Sequence, residues 1–304
     1  MTRALSQPRH TLDPDLAIVS NGRRNRFWSG RRKYLLGAVC IVICVVMIMP
    51  IVFSVSASLK TTQEAAAVPP TYFPSELSLD NYEKLWDYGS GLPRYIANSL
   101  ITAGLTIAMV LALTVPAGYG LARFPVPGKD LIFVFLLLAL IIPYQALLTP
   151  IFLMFSTMGL TNSLFGLAIV HTVIQLPFSL YIMRNAFESV PRELEEAALV
   201  DGANSWQILR RVFIPTAVPA LITVVLFAFI TSWNEFLGAL VMLTRDSSLT
   251  IPLVLAAARS VTSLGSTDWG MLQAGVTVAI IPCVLVYFLL QKYYVSGLLS
   301  GAIK

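Results

Sequence analysis

Side chains able to do chemistry are scarce in this sequence, which makes the few that stand in apolar surroundings informative. One polar, charged stretch, EEAALVDGANSWQILRRVFIP, stands between two long apolar runs, from Glu195 to Pro215. Two more ionisable groups, His171 and Glu235, interrupt long apolar runs. An acid at membrane depth marks a functional site by default, and an imidazole there is a candidate proton relay. Against this, Glu235 lies about 20 residues beyond Pro215, or about 30 Å of helix, near the far boundary of its run. It therefore reads either as an interfacial acid beside Trp233 or, with Asn234, as a polar element at the outer end of a pathway. His171 stands alone near the middle of its run and reads as a buried, hydrogen-bonded histidine ahead of a relay. Cys40, Cys44 and Cys283 have no histidine or carboxylate near in sequence to complete a metal site, and read as small buried hydrophobes. No catalytic constellation, metal site or cofactor motif emerges, and the phosphate-cradling G-x-x-x-x-G-K-[ST] does not occur.

The elements that hold these residues follow from composition. The chain has 304 residues, of which 56% are hydrophobic and 12% charged, about half the charge of a soluble domain. A bilayer is the solvent that such a composition fits. A spanning helix needs about 20 mostly apolar residues, and six stretches qualify: 34–56, 95–121, 131–152, 163–183, 215–243 and 271–291. The runs are long and do not alternate, which excludes a β-barrel. The expected fold is an all-α polytopic membrane protein with six transmembrane helices. Pro116, Pro143, Pro150, Pro177, Pro219 and Pro282 lie in or at the ends of these runs, where prolines kink helices.

Basic residues orient the chain. With the N-terminus inside, segments 1–33, 122–130, 184–214 and 292–304 are cytoplasmic and hold 16 of the 21 Lys and Arg residues. Both termini are then cytoplasmic. The first apolar run is longer than a signal-peptide core, so an uncleaved first span is expected. The basic tail 1–33 reads as lying along anionic lipid headgroups, and no basic-aromatic face suggests nucleic acid. Outside, the 57–94 loop with its prolines, acids and aromatics reads as a short ordered cap. The semi-polar 244–270 loop is expected to reach an external partner.

The 184–214 loop carries its own punctuation. Ser189, Pro191 and Glu193 signal a helix start, and helical character is expected over Leu194–Val200. Asp201-Gly202-Ala203-Asn204 breaks it, with Gly202 suited to a left-handed terminus, and Ser205-Trp206 opens a second helix that runs through Arg210 to Pro215. A helix, a tight turn and a helix at the membrane surface follow, as a docking element or as a solvated connector.

Glu196-Ala197-Ala198, then Asp201-Gly202-Ala203, then Ile214-Pro215 resembles the EAA loop of ABC-importer permeases. Ser58-Leu59-Lys60-Thr61 with Glu64, Asn98-Ser99-Leu100, Gly118-Tyr119-Gly120-Leu121-Ala122-Arg123-Phe124 and Trp233-Asn234-Glu235-Phe236 resemble the carbohydrate branch of that family, as does the ending from Gly297 to Lys304. The arginine-rich tail is not part of the pattern. The resemblance implies a type I ABC-importer permease fold in the bacterial inner membrane and no catalysis by this chain. It implies a second, related permease subunit, a cytoplasmic ATPase dimer and an external substrate-binding protein as partners. It assigns ATPase coupling to Glu196, Ala197, Ala198, Asp201, Gly202, Ala203 and Arg210, and a sugar, oligosaccharide, polyol or sugar conjugate as cargo. The competing class, a stand-alone secondary transporter or channel, would favour inverted repeats and several ionisable residues at the midplane, which the sequence does not display.

Overall fold

Apolar runs of bilayer length become long helices because a backbone in lipid must satisfy its own hydrogen bonds. The computed structural model describes residues 22–258 and 267–302, with side chains for 33–258 and 267–291. The expectations for residues 1–21, for the tip of the 244–270 loop at 259–266 and for 303–304 lie outside the described residues. Every regular element among the described residues is helical.

The chain falls into two units, 1–53 and 54–304. The first is occupied by most of helix α1 (Gly22–Ser58), which begins before the expected span and is bilayer-compatible over Lys33–Ser58. Cys40 and Cys44 on it are exposed free thiols, and Cys283 is half-buried, which corrects the expectation of three buried cysteines.

The second unit opens with two short helices, α2 (Thr62–Ala65) and α3 (Asp80–Trp86). They make the 57–94 loop an ordered cap. Asn81 is buried in it and donates to the carbonyls of Ser58 at 3.0 Å and Lys60 at 2.7 Å. Helices α4 (Leu92–Arg123) and α7 (Leu164–Glu188) are unbroken despite Pro116 and Pro177. Between them α5 (Lys129–Leu138) and α6 (Leu148–Thr157) replace the expected straight span 131–152: Lys129–Ile141 and Tyr144–Thr157 meet at 89°. Pro143 sits at this elbow, where its ring and missing N–H end the helix.

Beyond α7 come α8 (Arg192–Val200), α9 (Ser205–Ile208), a π-helical turn (Leu209–Phe213), α10 (Ile214–Thr216), α11 (Val218–Asn234) and α12 (Leu237–Met242). The expected span 215–243 is thus not one helix. It bends by 79° near Ala217 and ends at Asn234, where Glu235 is extended with ψ of 128°. The 244–270 segment is also less open than expected. It contains α13 (Ile251–Ala258), whose Ile251, Leu253, Val254 and Ala258 are buried. Last, α14 (Trp269–Ala302) continues as a helix past the expected end of the sixth span. Among the described residues, four helices are long and apolar enough to cross a membrane, or up to six if each bent pair counts as one span.

Helices α4, α7 and α11 pack together as the centre of the bundle, with α14 against α11. Gly118 sets the approach of α4 to α7: a Cβ there would lie 3.0 Å from the Met183 Cβ and 3.2 Å from the Arg184 nitrogen. Thr102, Thr106 and Thr114 donate to the carbonyls four residues back, at 2.9, 2.8 and 2.7 Å, so their hydroxyls need no water. Trp233 donates from Nε1 to the Ala279 carbonyl at 3.0 Å and pins α11 to α14.

Candidate functional site

At one end of the bundle, the 184–214 loop forms the helix, turn and helix that its punctuation predicts. Pro191 precedes the first turn of α8 and Glu193 and Glu195 supply acids there. The stop at Gly202 is a Schellman motif: Ala203 donates from its N–H to the Ala198 carbonyl at 2.9 Å and Gly202 to the Leu199 carbonyl at 3.0 Å, with Gly202 at φ +78°. Asn204 then starts α9 with a reciprocal cap. Its side chain accepts from the Gln207 N–H at 2.9 Å, and the Gln207 side chain accepts from the Asn204 N–H at 2.9 Å.

These caps fix which side chains face outward. Glu195 and Ala198, three apart, are half-buried, and Ala198 and Ala203 pack on the core beneath the loop. Glu196, Ala197, Asp201, Gly202 and Arg210 are exposed. Beside them Leu199, Val200 and Trp206 present apolar surface, Val200 at 88% and Trp206 at 65% exposure. The exposed surface of the loop is therefore mixed, with apolar Leu199, Val200 and Trp206 among polar Glu196, Asp201 and Arg210.

Underneath lies a core of Val110, Tyr119, Met183, Phe187, Val190, Ile208, Leu209 and Phe213. The Tyr119 ring meets Phe213 and Phe187 edge-on, with centroids 4.9 and 6.3 Å apart. Arg123 enters the same core. It donates from Nη2 to the Phe187 carbonyl at 2.7 Å and to the Val190 carbonyl, pairs with Glu195 at 3.6 Å, and stacks 4.8 Å from the Phe213 ring centre. Sequence reading names Arg123 only as part of a motif and does not foresee these partners. The signal available was one basic residue closing an otherwise apolar run.

A second cluster lies where α11 breaks. Glu235 is buried within the protein. Its Oε1 accepts from the Tyr144 hydroxyl at 2.6 Å and the Gly238 N–H at 2.7 Å, and its Oε2 from the Ala239 N–H at 3.1 Å, so it caps α12. His171 Nε2 completes the set at 3.1 Å from Oε2, while its Nδ1 lies 2.8 Å from the Ser232 hydroxyl. Thr106 extends the chain to α4 at 3.4 Å from Ser232. His171 is buried as expected but is not alone: the fold brings it to an acid 64 positions away. Asn234 does not join this cluster. It is exposed and donates to the Ile230 carbonyl at 2.8 Å. No group of three metal-ligating side chains occurs among the described residues.

Comparison with known proteins places both clusters in a family. A family described as binding-protein-dependent transport system inner membrane component matches residues 114–299, which include α7 to α13 and the whole loop. The probable ABC transporter permease protein YurM of Bacillus subtilis is 30% identical over 90% of this chain and 91% of its own length. The trehalose/maltose transport system permease protein MalG of Thermococcus litoralis is 31% identical over 90% of this chain and 97% of its own length. A chain of a bacterial ABC transporter involved in import of the acidic polysaccharide alginate superposes with a TM-score of 0.75 at 25% identity, over 90% of this chain and 98% of that one. This chain belongs to the family of binding-protein-dependent transport system inner membrane components, the multi-pass permease subunits of ABC importers.

Proposed function

We propose that this permease forms half of the translocation pathway for a sugar, oligosaccharide, polyol or sugar conjugate, with a second, related permease as the other half. The named cargoes of its relatives, trehalose and maltose in one case and alginate in a solved structure, support a carbohydrate. An external binding protein delivers the cargo and a cytoplasmic ATPase dimer drives the cycle. The excess of basic residues in 1–33, 122–130, 184–214 and 292–304 supports a cytoplasmic loop and cytoplasmic termini.

The observation that carries the reading is the outward face of the 184–214 loop. Val200 and Trp206 are exposed there on two helices whose junction is fixed by the Gly202 stop and the Asn204 cap, on an element that stands at the end of the bundle. With apolar side chains among polar ones, the face suits a protein interface. Glu196, Ala197, Ala198, Asp201, Gly202, Ala203 and Arg210 form or shape it: Ala197 keeps the approach close, Ala198 and Ala203 seat it on the core, and Gly202 sets the turn. Docked ATPase movement then becomes rigid-body movement of packed helices. Near the far end of α11, Glu235 ties the α5–α6 elbow to α7, α11 and α12, and acts as an outer-gate tie, with Asn234 beside it on the exposed surface.

Co-purification of the complex tests the reading. Wild type should bring down an ATPase and a second permease, and Glu196→Lys combined with Gly202→Pro should lose the ATPase while remaining in the membrane. A chain that purifies alone and transports unaided would return the reading to a stand-alone transporter.

A further inference from the structure

Backbone links alone are poorly suited to carrying movement out of the 192–213 segment. At one side it joins α7 through Ser189, Val190 and Pro191; at the other it joins α11 through the 79° bend at Ala217. The first is a short non-helical joint of the kind that absorbs dihedral change, and at the second α10 meets α11 at a bend rather than in line. Side chains must therefore make the connection if a displacement of α8 is to reach the spans.

One guanidinium touches every element concerned. Arg123 is the last residue of α4 and its side chain is 5% exposed. Its Nη2 donates to the carbonyls of Phe187, in the last turn of α7, and Val190, in the joint that follows. The Phe187 carbonyl also accepts from the Val190 N–H at 3.3 Å, and the guanidinium adds a charged donor to it and to the Val190 carbonyl. On its other side Nη1 pairs with Glu195 on the inward face of α8, and the plane of the group stacks on Phe213 in the π-helical turn. Tyr119, one turn earlier on α4, repeats part of the connection through edge contacts with Phe187 and Phe213. A planar fork can do this at once, whereas an ammonium can supply only a point charge.

We infer that Arg123 is a positioning residue for coupling: through Glu195 and Phe213 it makes the 192–213 segment, the end of α4 and the end of α7 one rigid body, so that a push on α8 moves two spans. The inference rests on the loop being the ATPase-docking element. It separates two kinds of residue in the loop region, those facing the partner and those transmitting inward.

The test uses the whole transporter, with both permeases, the ATPase and the binding protein, in sealed proteoliposomes. Cargo uptake and ATP hydrolysed are measured in the same vesicles for wild type, Arg123→Met, Arg123→Lys and Glu195→Gln. Expected is an assembled complex in which uptake per ATP falls about fivefold or more for Arg123→Met, with smaller falls for the other two. A residue that merely held the fold would lower uptake and hydrolysis together, so assembled variants with the wild-type ratio overturn the inference. If Arg123→Met fails to assemble, Arg123→Lys and Glu195→Gln, which keep similar bulk, decide by the same ratio. A wild-type chain that binds no ATPase overturns the docking reading and this inference with it, and is seen before any variant is made.

Discussion

Replacing Glu235 by alanine should be among the most damaging single changes in the bundle. The carboxylate accepts from the Tyr144 hydroxyl, from the N–H groups of Gly238 and Ala239, and faces His171 Nε2. Alanine leaves all four without that partner. At about 1–3 kcal/mol for each buried group left unmet, the upper bound is about 4–12 kcal/mol. Hydrogen bonds measured between membrane helices average only about 0.6 kcal/mol, which sets a lower bound of about 2.4 kcal/mol. A loss of about 3–5 kcal/mol lies between the two. Glutamine is the informative comparison. Its oxygen can keep Tyr144 and Gly238, and His171 can change tautomer to accept from the new amide. Only the Ala239 N–H then meets a donor, a cost of about 1–3 kcal/mol. Reversible unfolding of the purified permease in mixed micelles, titrated with a denaturing detergent, measures both variants. Alanine within about 1 kcal/mol of wild type, or glutamine worse than alanine, would refute the reasoning.

Gly118→Val should cost about 1–3 kcal/mol through overpacking against Met183 and Arg184, and Gly118→Ala distinctly less, as a ranking of midpoints in the same titration. Asn162, at φ 56°, accepts from the N–H groups of Thr244 and Arg245 at 2.7 and 2.8 Å; Asn162→Ala should free the start of the 244–258 segment, read as faster hydrogen exchange there than in α4. The Ser90 hydroxyl, outweighing burial and aided by Tyr95, holds the Asp246 carboxyl below its ordinary value. Its stabilisation is therefore full above the unfolded carboxylate range and is lost as pH falls through the lower folded value, so Asp246→Asn should flatten the acid limb of a stability–pH profile.

Local rules made the 184–214 loop legible. Pro191, Gly202 and the Asn204 region are start and stop signals that act within a few residues, and the helix, turn and helix they punctuate is observed, with Asn204, read only as part of the break, also capping the second helix. Hydropathy located the spans but is blind to direction, since a window sums apolarity whether the chain runs straight or turns. It therefore merged the α5–α6 elbow into one run and carried α11 past its end at Asn234. The Glu235 cluster was out of reach for another reason. Its members come from Tyr144, His171, Ser232 and Glu235, and what makes an isolated acid tolerable in an apolar run is a partner far away in sequence. Arg123 failed in the same way: its motif was visible, its four carbonyl, carboxylate and ring partners were not.

The elbow between Ile141 and Tyr144 bears on how much bilayer this permease needs. Its legs, Lys129–Ile141 and Tyr144–Thr157, are about 20 and 21 Å long, and neither alone reaches across a hydrocarbon layer of about 30 Å. At 89° to each other and inclined equally, they descend together about 29 Å, which is enough. A pair crossing in this way would be a chevron whose apex stands about 14 Å sideways of the line joining its ends. Opening or closing such a chevron changes both its height and its width in the plane of the membrane. Acyl-chain length thereby acts on the elbow as a mechanical load, which a straight span would meet by tilting alone.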